Sequence, residues 1–256
     1  MRAPDTVENA HALHDWLNTP LGSYVVKQER AYLDEAVADI FGFNAVQLGL
    51  AQIDFLQASR IPYKFSIALD APAALRARFD ALPLESQSID LLILPHILEF
   101  ADNPHQILRE VDRVMMPEGR VIILGFNPWS LWGAKRAITY REKDFPWRGH
   151  FVSLVRLKDW LALLGFDVSA GKLGCYVPPC ATEKWLERFS FMEAAGDRWW
   201  GIAGGVYMLQ AIKRVQGVRL ITPNWRSKQE RAQNLAPVQG ISGARYEPPP
   251  NHLTLI

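Results

Sequence analysis

Short apolar runs and amphipathic stretches alternate along most of the chain. Leu33, Ala36, Val37, Ile40 and Phe41 keep a helical period from Gln28 to Phe41, and Gly42 ends the run. Ala45–Leu50 is short and apolar, as a buried parallel strand would be. Tyr63–Leu69 and Asp90–Leu94 read as two more strands. A helix follows: Asn103 can cap it, Pro104 suits its first position, and Ile107, Leu108, Val111, Val114 and Met115 form its apolar stripe. Pro117-Glu118-Gly119 predicts a turn and Val121–Leu124 another strand. Such a strand–helix–strand unit is parallel and right-handed, which predicts an α/β layered domain. Further on, the pattern predicts a helix over Arg156–Leu164 stopped by Gly165, a strand over Phe166–Ser169, a helix over Glu183–Ala195, and two closing strands within Gly171–Pro179 and Val206–Arg214.

The flanks differ from this core. Residues 1–27 read as a leader with one short helical stretch around Ala10–Leu17, broken by Pro20 and Gly22. Residues 28–215 carry the periodic pattern. Residues 216–256 are rich in Pro, Gly, Gln and Asn and read as a disordered tail.

Composition narrows the classes. A chain of 256 residues buries a core without covalent staples. Lys and Arg number 28 against 27 Asp and Glu, so the basic excess of a nucleic-acid binder is missing and nucleic acid is not an expected partner. Cys175 and Cys180 have no nearby His and read as free thiols of a reducing compartment rather than metal ligands. No signal-peptide pattern opens the chain, and no apolar run approaches the roughly 20 residues of a membrane span, so a cytoplasmic location is expected.

The most informative block is Leu82 to Leu124. It contains Leu82-Pro83-Leu84, Ser88-Ile89-Asp90 before a strand, His96-Ile97-Leu98 after it, Asn103-Pro104, Leu108-Arg109-Glu110-Val111-Asp112-Arg113-Val114, and Pro117-Glu118-Gly119 before the next strand. In residue types and spacing this resembles the second half of the class I S-adenosylmethionine-dependent methyltransferase domain of the type 11 kind. The resemblance implies a Rossmann-like, seven-stranded, mostly parallel sheet with helices on both faces and an antiparallel last strand. It also implies S-adenosylmethionine as cofactor, held at the C-terminal edge of the first strands, where open α/β sheets bind ligands.

The first half departs from that pattern. The loop Gln47-Leu48-Gly49-Leu50-Ala51-Gln52 has one Gly where the family has a Gly-rich loop. Asp70 follows the second strand at a poor spacing for the acid that binds ribose hydroxyls, and the position of the adenine-side acid falls on Arg78. Too few residues separate Asp70 from Leu82 for a normal helix and a third strand. Each lost carboxylate at a ribose diol removes charge-assisted hydrogen bonds of roughly 1.5–3 kcal/mol.

The resemblance implies that Gln47, Gly49, Leu50, Leu82, Pro95 and His96 bind the cofactor. His96 is the candidate catalytic residue, since a His at this edge can take a proton from an acceptor heteroatom; the competing reading is a His packed on the sheet edge. Glu99 is expected in solvent. Asn127 and Trp129, in the loop after the fifth strand, are candidates to hold the acceptor, against plain turn chemistry and packing. Lys135 to Arg148 mixes basic and aromatic residues and reads as a solvated loop with a few anchors. The acceptor implied is a small molecule or a protein. The alternative reading is a domain that has kept the fold, lost the cofactor chemistry and serves as a binding module.

Overall fold

The computed structural model describes residues 7–70, 72–139, 145–179, 182–199 and 201–215. The 216–256 segment, read above as a tail, lies outside the described residues. A seven-stranded sheet carries the fold: β1 (Asn44–Leu48), β2 (Tyr63–Ala68), β3 (Leu75–Arg76), β4 (Ile89–Pro95), β5 (Met115–Phe126), β6 (Phe166–Gly174) and β7 (Val206–Lys213). Their order is β3-β2-β1-β4-β5-β7-β6. The first five strands run parallel, and β7 is antiparallel to both of its neighbours. The direction of strand order reverses at β1, between β2 and β4.

Strand side chains alternate between two cores. Ala45, Leu91, Ile93, Ile122 and Leu124 face one, covered by α1 (Val7–Leu17) and α2 (Pro20–Ala38). Val46, Leu92, Leu94, Val121 and Ile123 face the other, covered by α3 (Pro104–Val114) and α5 (Leu154–Leu163). Because both faces are covered, the strands read as continuous apolar runs rather than as alternation. Asn103 caps α3 by accepting a hydrogen bond from the Gln106 N–H at 3.1 Å, and Ile107, Leu108, Val111 and Val114 are its buried stripe, as predicted; Met115, expected in that stripe, opens β5 instead.

The leader reading is corrected. Pro20 starts a helix instead of ending one: Thr19 caps α2 by accepting from the Gly22 N–H at 3.2 Å, and a proline at the first helical position loses no hydrogen bond. Gly22 is needed for the corner between the two helices, since a Cβ there would lie 2.2 Å from the Trp16 carbonyl oxygen. The boundary at residue 27 therefore falls inside α2, and Leu13, Trp16, Leu17, Leu21 and Val25 belong to the core.

Three other expectations shift. Pro117–Gly119 sits within β5 as an irregularity, where pairing jumps from Ile89↔Met115 to Leu91↔Arg120. The strand predicted to stop at Ser169 runs on to Gly174. The helix expected over Glu183–Ala195 divides into α6 (Glu183–Arg188) and α7 (Phe191–Trp199). Between β2 and β3 the chain spends only residues 69–74, and no helix lies between β2 and β4 among the described residues. No described helix is long and apolar enough to cross a membrane.

Candidate cofactor and acceptor site

A cleft opens at the C-terminal ends of β1, β2 and β4, where the strand order reverses. Gly49 and Leu50 line it after β1, Leu69 and Asp70 after β2, and Pro95, His96 and Ile97 after β4. Asn9, Ala10 and Leu13 of α1 form one wall, with Phe79 and Phe100 on others. The cleft measures about 590 Å³ with its open mouth.

The loop after β1 has an unusual brace. Gly49 and Leu50 both take left-handed backbone conformations, with φ of 69° and 45°. A Cβ on Gly49 would lie 3.3 Å from Ile97 Cδ1, so a side chain there is disfavoured by both its backbone and its space. The loop is held from inside by Gln47. Its Nε2 donates to the carbonyls of Gly49, Leu50 and Ile53 at 3.1, 3.0 and 2.8 Å, and its Oε1 accepts from the Phe55 N–H at 3.0 Å. Gln47 is thus fully engaged within the chain and does not line the cleft. Its amide fixes a turn that glycines alone usually make.

Asp70 stands where the second strand delivers its last residues. His11 Nε2 approaches its Oδ2 to 3.0 Å. No hydrogen bond forms, so Oδ2 is a buried acceptor without a hydrogen-bond partner. The spacing that argued against Asp70 assumed a helix after β2; without that helix the acid sits at the cleft. On the facing side, the Asp80 carboxyl is held below the usual carboxylate range by its hydrogen bonds from Arg78, at 2.9 and 2.6 Å. Phe79 between them turns its ring to the cleft, so that wall is apolar. Leu82 is buried away from it, in a clasp where the Leu82 N–H donates to Glu110 and its carbonyl accepts from Arg113.

His96 has φ of 54° and a fully buried side chain. Its Nε2 lies 2.6 Å from Glu29 Oε1 and its Nδ1 3.0 Å from Glu99 Oε2. Burial alone would lower its pKa. The charges of Glu29 and then Glu99, with hydrogen bonds to both, overcome that and push it up to about 10. Both ring nitrogens are thus engaged by buried carboxylates, and neither is free to take a proton from a ligand in the cleft. This corrects the expectation of a proton acceptor. Glu99 is also not in solvent: it is 1% exposed, and its second oxygen accepts from the Phe126 N–H. Burial, and after it Glu29, pushes the Cys175 thiol well up; Cys180 lies outside the described residues.

Glu29 escaped the sequence reading, although a signal existed. Leu21, Val25, Glu29, Leu33 and Val37 are spaced by four along α2, and all are buried. A carboxylate in an apolar stripe needs an internal partner.

Asn127 and Trp129 do not reach this cleft. The Asn127 amide donates to the carbonyls of Ile202 and Gly204, each at 2.9 Å, and its oxygen accepts from the Trp129 N–H at 3.0 Å. The Trp129 side chain is 77% exposed. The turn-chemistry reading describes Asn127 here.

Known proteins resemble this chain in sequence and in fold. The family profile described as "Methyltransferase domain" matches residues 31–123. The uncharacterized protein YafS of Escherichia coli (strain K12) is 30% identical over 169 residues, 65% of this chain and 69% of that protein. A demethylmenaquinone methyltransferase of Chlamydia pneumoniae is 29% identical over 111 residues, 42% of this chain and 47% of the relative. A solved S-adenosylmethionine-dependent methyltransferase of Thermotoga maritima, described as a possible histamine N-methyltransferase, superposes with a TM-score of 0.58 at 16% identity, covering 80% of this chain and 99% of that one. Profile, relatives and sheet order agree: the chain belongs to the class I methyltransferase domain family of the type 11 kind.

Proposed function

We propose that this chain binds S-adenosylmethionine in the cleft beside β1 and transfers a methyl group to an acceptor. The observation that carries the reading is the Asp70 carboxylate lining the cleft together with Gly49, its Oδ2 without a hydrogen bond and in contact only with the half-exposed His11 ring at 3.0 Å. A vicinal diol would give that oxygen the charge-assisted hydrogen bond it lacks. Leu50, Leu69 and Phe79 provide apolar surface for a heteroaromatic base. When bound, the cofactor supplies an electrophilic methyl: an acceptor lone pair bonds to its carbon while the carbon–sulfur pair stays on sulfur.

The residues of this chain position and polarise rather than shuttle protons. His96, Glu29 and Glu99 set two acidic side chains against one imidazole beneath the cleft, an acidic excess that favours a cation above it. With His96 unable to act as a base, the acceptor's proton leaves to solvent or is lost before binding. Positioning is then the main catalytic contribution.

Calorimetric titration with S-adenosylhomocysteine tests the reading. Binding in or below the tens of micromolar, weakened about tenfold or more in Asp70→Asn and abolished in Gly49→Asp, is the expected result. A folded protein that gives no heat and no thermal shift at millimolar ligand overturns it. The binding-module reading, favoured by the Arg78–Asp80 pairing where the family has a free acid, would then replace it.

A further inference from the structure

A second cleft adjoins the first, between the start of α3, α4 (Leu131–Thr139), residues 145–152 and the first two turns of α5. Asn9 and Phe100 line both. The second is the larger, at about 1520 Å³ with its open mouth.

Its charge is one-sided. Arg136, Arg148, Arg156, His105 and His150 line it, against Asp102 and Glu99, and the Glu99 carboxylate is already taken by His96 and the Phe126 N–H. Each guanidinium lies over an aromatic ring: Arg136 over Phe151 at 5.2 Å, Arg148 over Phe145 at 5.3 Å, Arg156 over Trp160 at 5.8 Å. Stacking fixes the plane of a guanidinium and points its edge N–H groups outward; Arg136 spends its Nε on the Gly149 carbonyl at 2.6 Å, so the anion-binding groups are Arg148 and Arg156. Arg148 and Arg156 form no ion pair among the described residues. Arg148 donates from Nη2 to Asn9 Oδ1 at 2.6 Å, while its Nε is buried without a partner. A buried donor left unpaired is costly, and a carboxylate or phosphate oxygen would satisfy it.

We propose that this cleft receives the methyl acceptor and that the acceptor is a small anion, a carboxylate or phosphate on an apolar or aromatic body. The anionic group docks against Arg148 and Arg156, and the body lies along Phe151 and Trp160 toward Phe100 and the first cleft. The acceptor's role rests on the methyl-transfer reading above; the anion site does not.

The test is titration of the full chain with phenyl phosphate, with benzyl alcohol as the neutral counterpart and inorganic phosphate as the bare anion. Saturable phenyl phosphate binding, at least about tenfold tighter than either control, is expected. Arg156→Gln and Arg148→Gln should each weaken it about tenfold, and Arg156→Gln should leave S-adenosylhomocysteine affinity and the melting temperature unchanged. Benzyl alcohol binding as well as phenyl phosphate, inorganic phosphate matching it, or both variants retaining full affinity overturns the proposal. Phenyl phosphate binding without S-adenosylhomocysteine binding overturns the methyl-transfer reading and leaves the anion site in place.

Discussion

The two flanks of β1 build the same cleft from different materials. On one side, β4, α3 and β5 form a regular crossover with a capped helix, a buried stripe and continuous pairing along the upper strands. On the other side, β2 meets a two-residue β3 after residues 69–74, without an intervening helix. The regular flank keeps its shape through backbone geometry and apolar packing. The reduced flank keeps its shape through single polar side chains, Gln47 above all. A flank held by packing spreads its stability over many contacts, whereas one held by a few buried hydrogen bonds concentrates it.

The largest expected effect lies where the two flanks meet, at the ring of His96 between Glu29 on α2 and Glu99 past β4. His96→Leu removes the cation and leaves two buried carboxylates facing each other. Loss of one member of a buried ionic cluster costs about 3–5 kcal/mol, which urea unfolding would read directly. An unchanged unfolding midpoint would mean that the cluster contributes no net stability. The same group gives a pH dependence of definite sign. A His whose pKa rises from 6.5 to about 10 on folding contributes stability that is complete below about 6.5 and is lost as pH rises through about 10. Melting temperature should therefore fall between pH 7 and 10 in the native chain, and fall less in His96→Leu.

Next in size is Gln47→Ala. It orphans the Phe55 N–H and the carbonyls of Gly49 and Ile53 around a buried void. A loss of roughly 2–3 kcal/mol in stability is expected, larger than the cost of about 1 kcal/mol for removing the α3 cap with Asn103→Ala. The comparison between the flanks is broken if the two substitutions cost the same.

Asp70→Asn should act on affinity and not on the fold. Its Oδ2 has no hydrogen bond to lose, and its His11 contact involves a side chain 56% exposed. Stability should stay within about 0.5 kcal/mol of the native chain while S-adenosylhomocysteine affinity falls at least about tenfold.

The difference between the flanks also decided what could be read from the sequence. The regular flank was legible down to its cap, because α3 follows the capping and periodicity rules; only Met115 and Pro117–Gly119, read as helix and turn, belong to β5 instead. The seven mostly parallel strands and the antiparallel last one followed from the resemblance that this same block carries; their order did not. The reduced flank was misread wherever one side chain replaces a standard device. Gln47 does from within what glycines do by conformation, and periodicity carries no sign of a side chain folding back on its own loop. Asp70 is out of place only against an expected helix after β2, which the described residues do not form. Glu99 and Glu29 are charged residues in the core, where hydropathy reads solvent; only the spacing of Glu29 with Leu21, Val25, Leu33 and Val37 pointed inward. Pro20 misled because a proline that breaks one helix is also the preferred first residue of the next.

The smallest expected effect concerns the loop after β5, which lies off both flanks. Trp129 drew attention as an aromatic residue at a strand end, yet its side chain is 77% exposed and lines neither cleft. What holds this loop is Asn127, through two carbonyls near β7 and the Trp129 backbone N–H, and that bond needs no indole. Trp129→Ala should therefore change stability by no more than about 0.5 kcal/mol. It should leave both S-adenosylhomocysteine and phenyl phosphate affinity within about twofold of the native chain, a difference of about 0.4 kcal/mol. A tenfold loss for either ligand would place the acceptor path on the β5 side, away from Arg148 and Arg156. The exposed indole would then be part of the site, and the basic cleft would lose its claim to the acceptor.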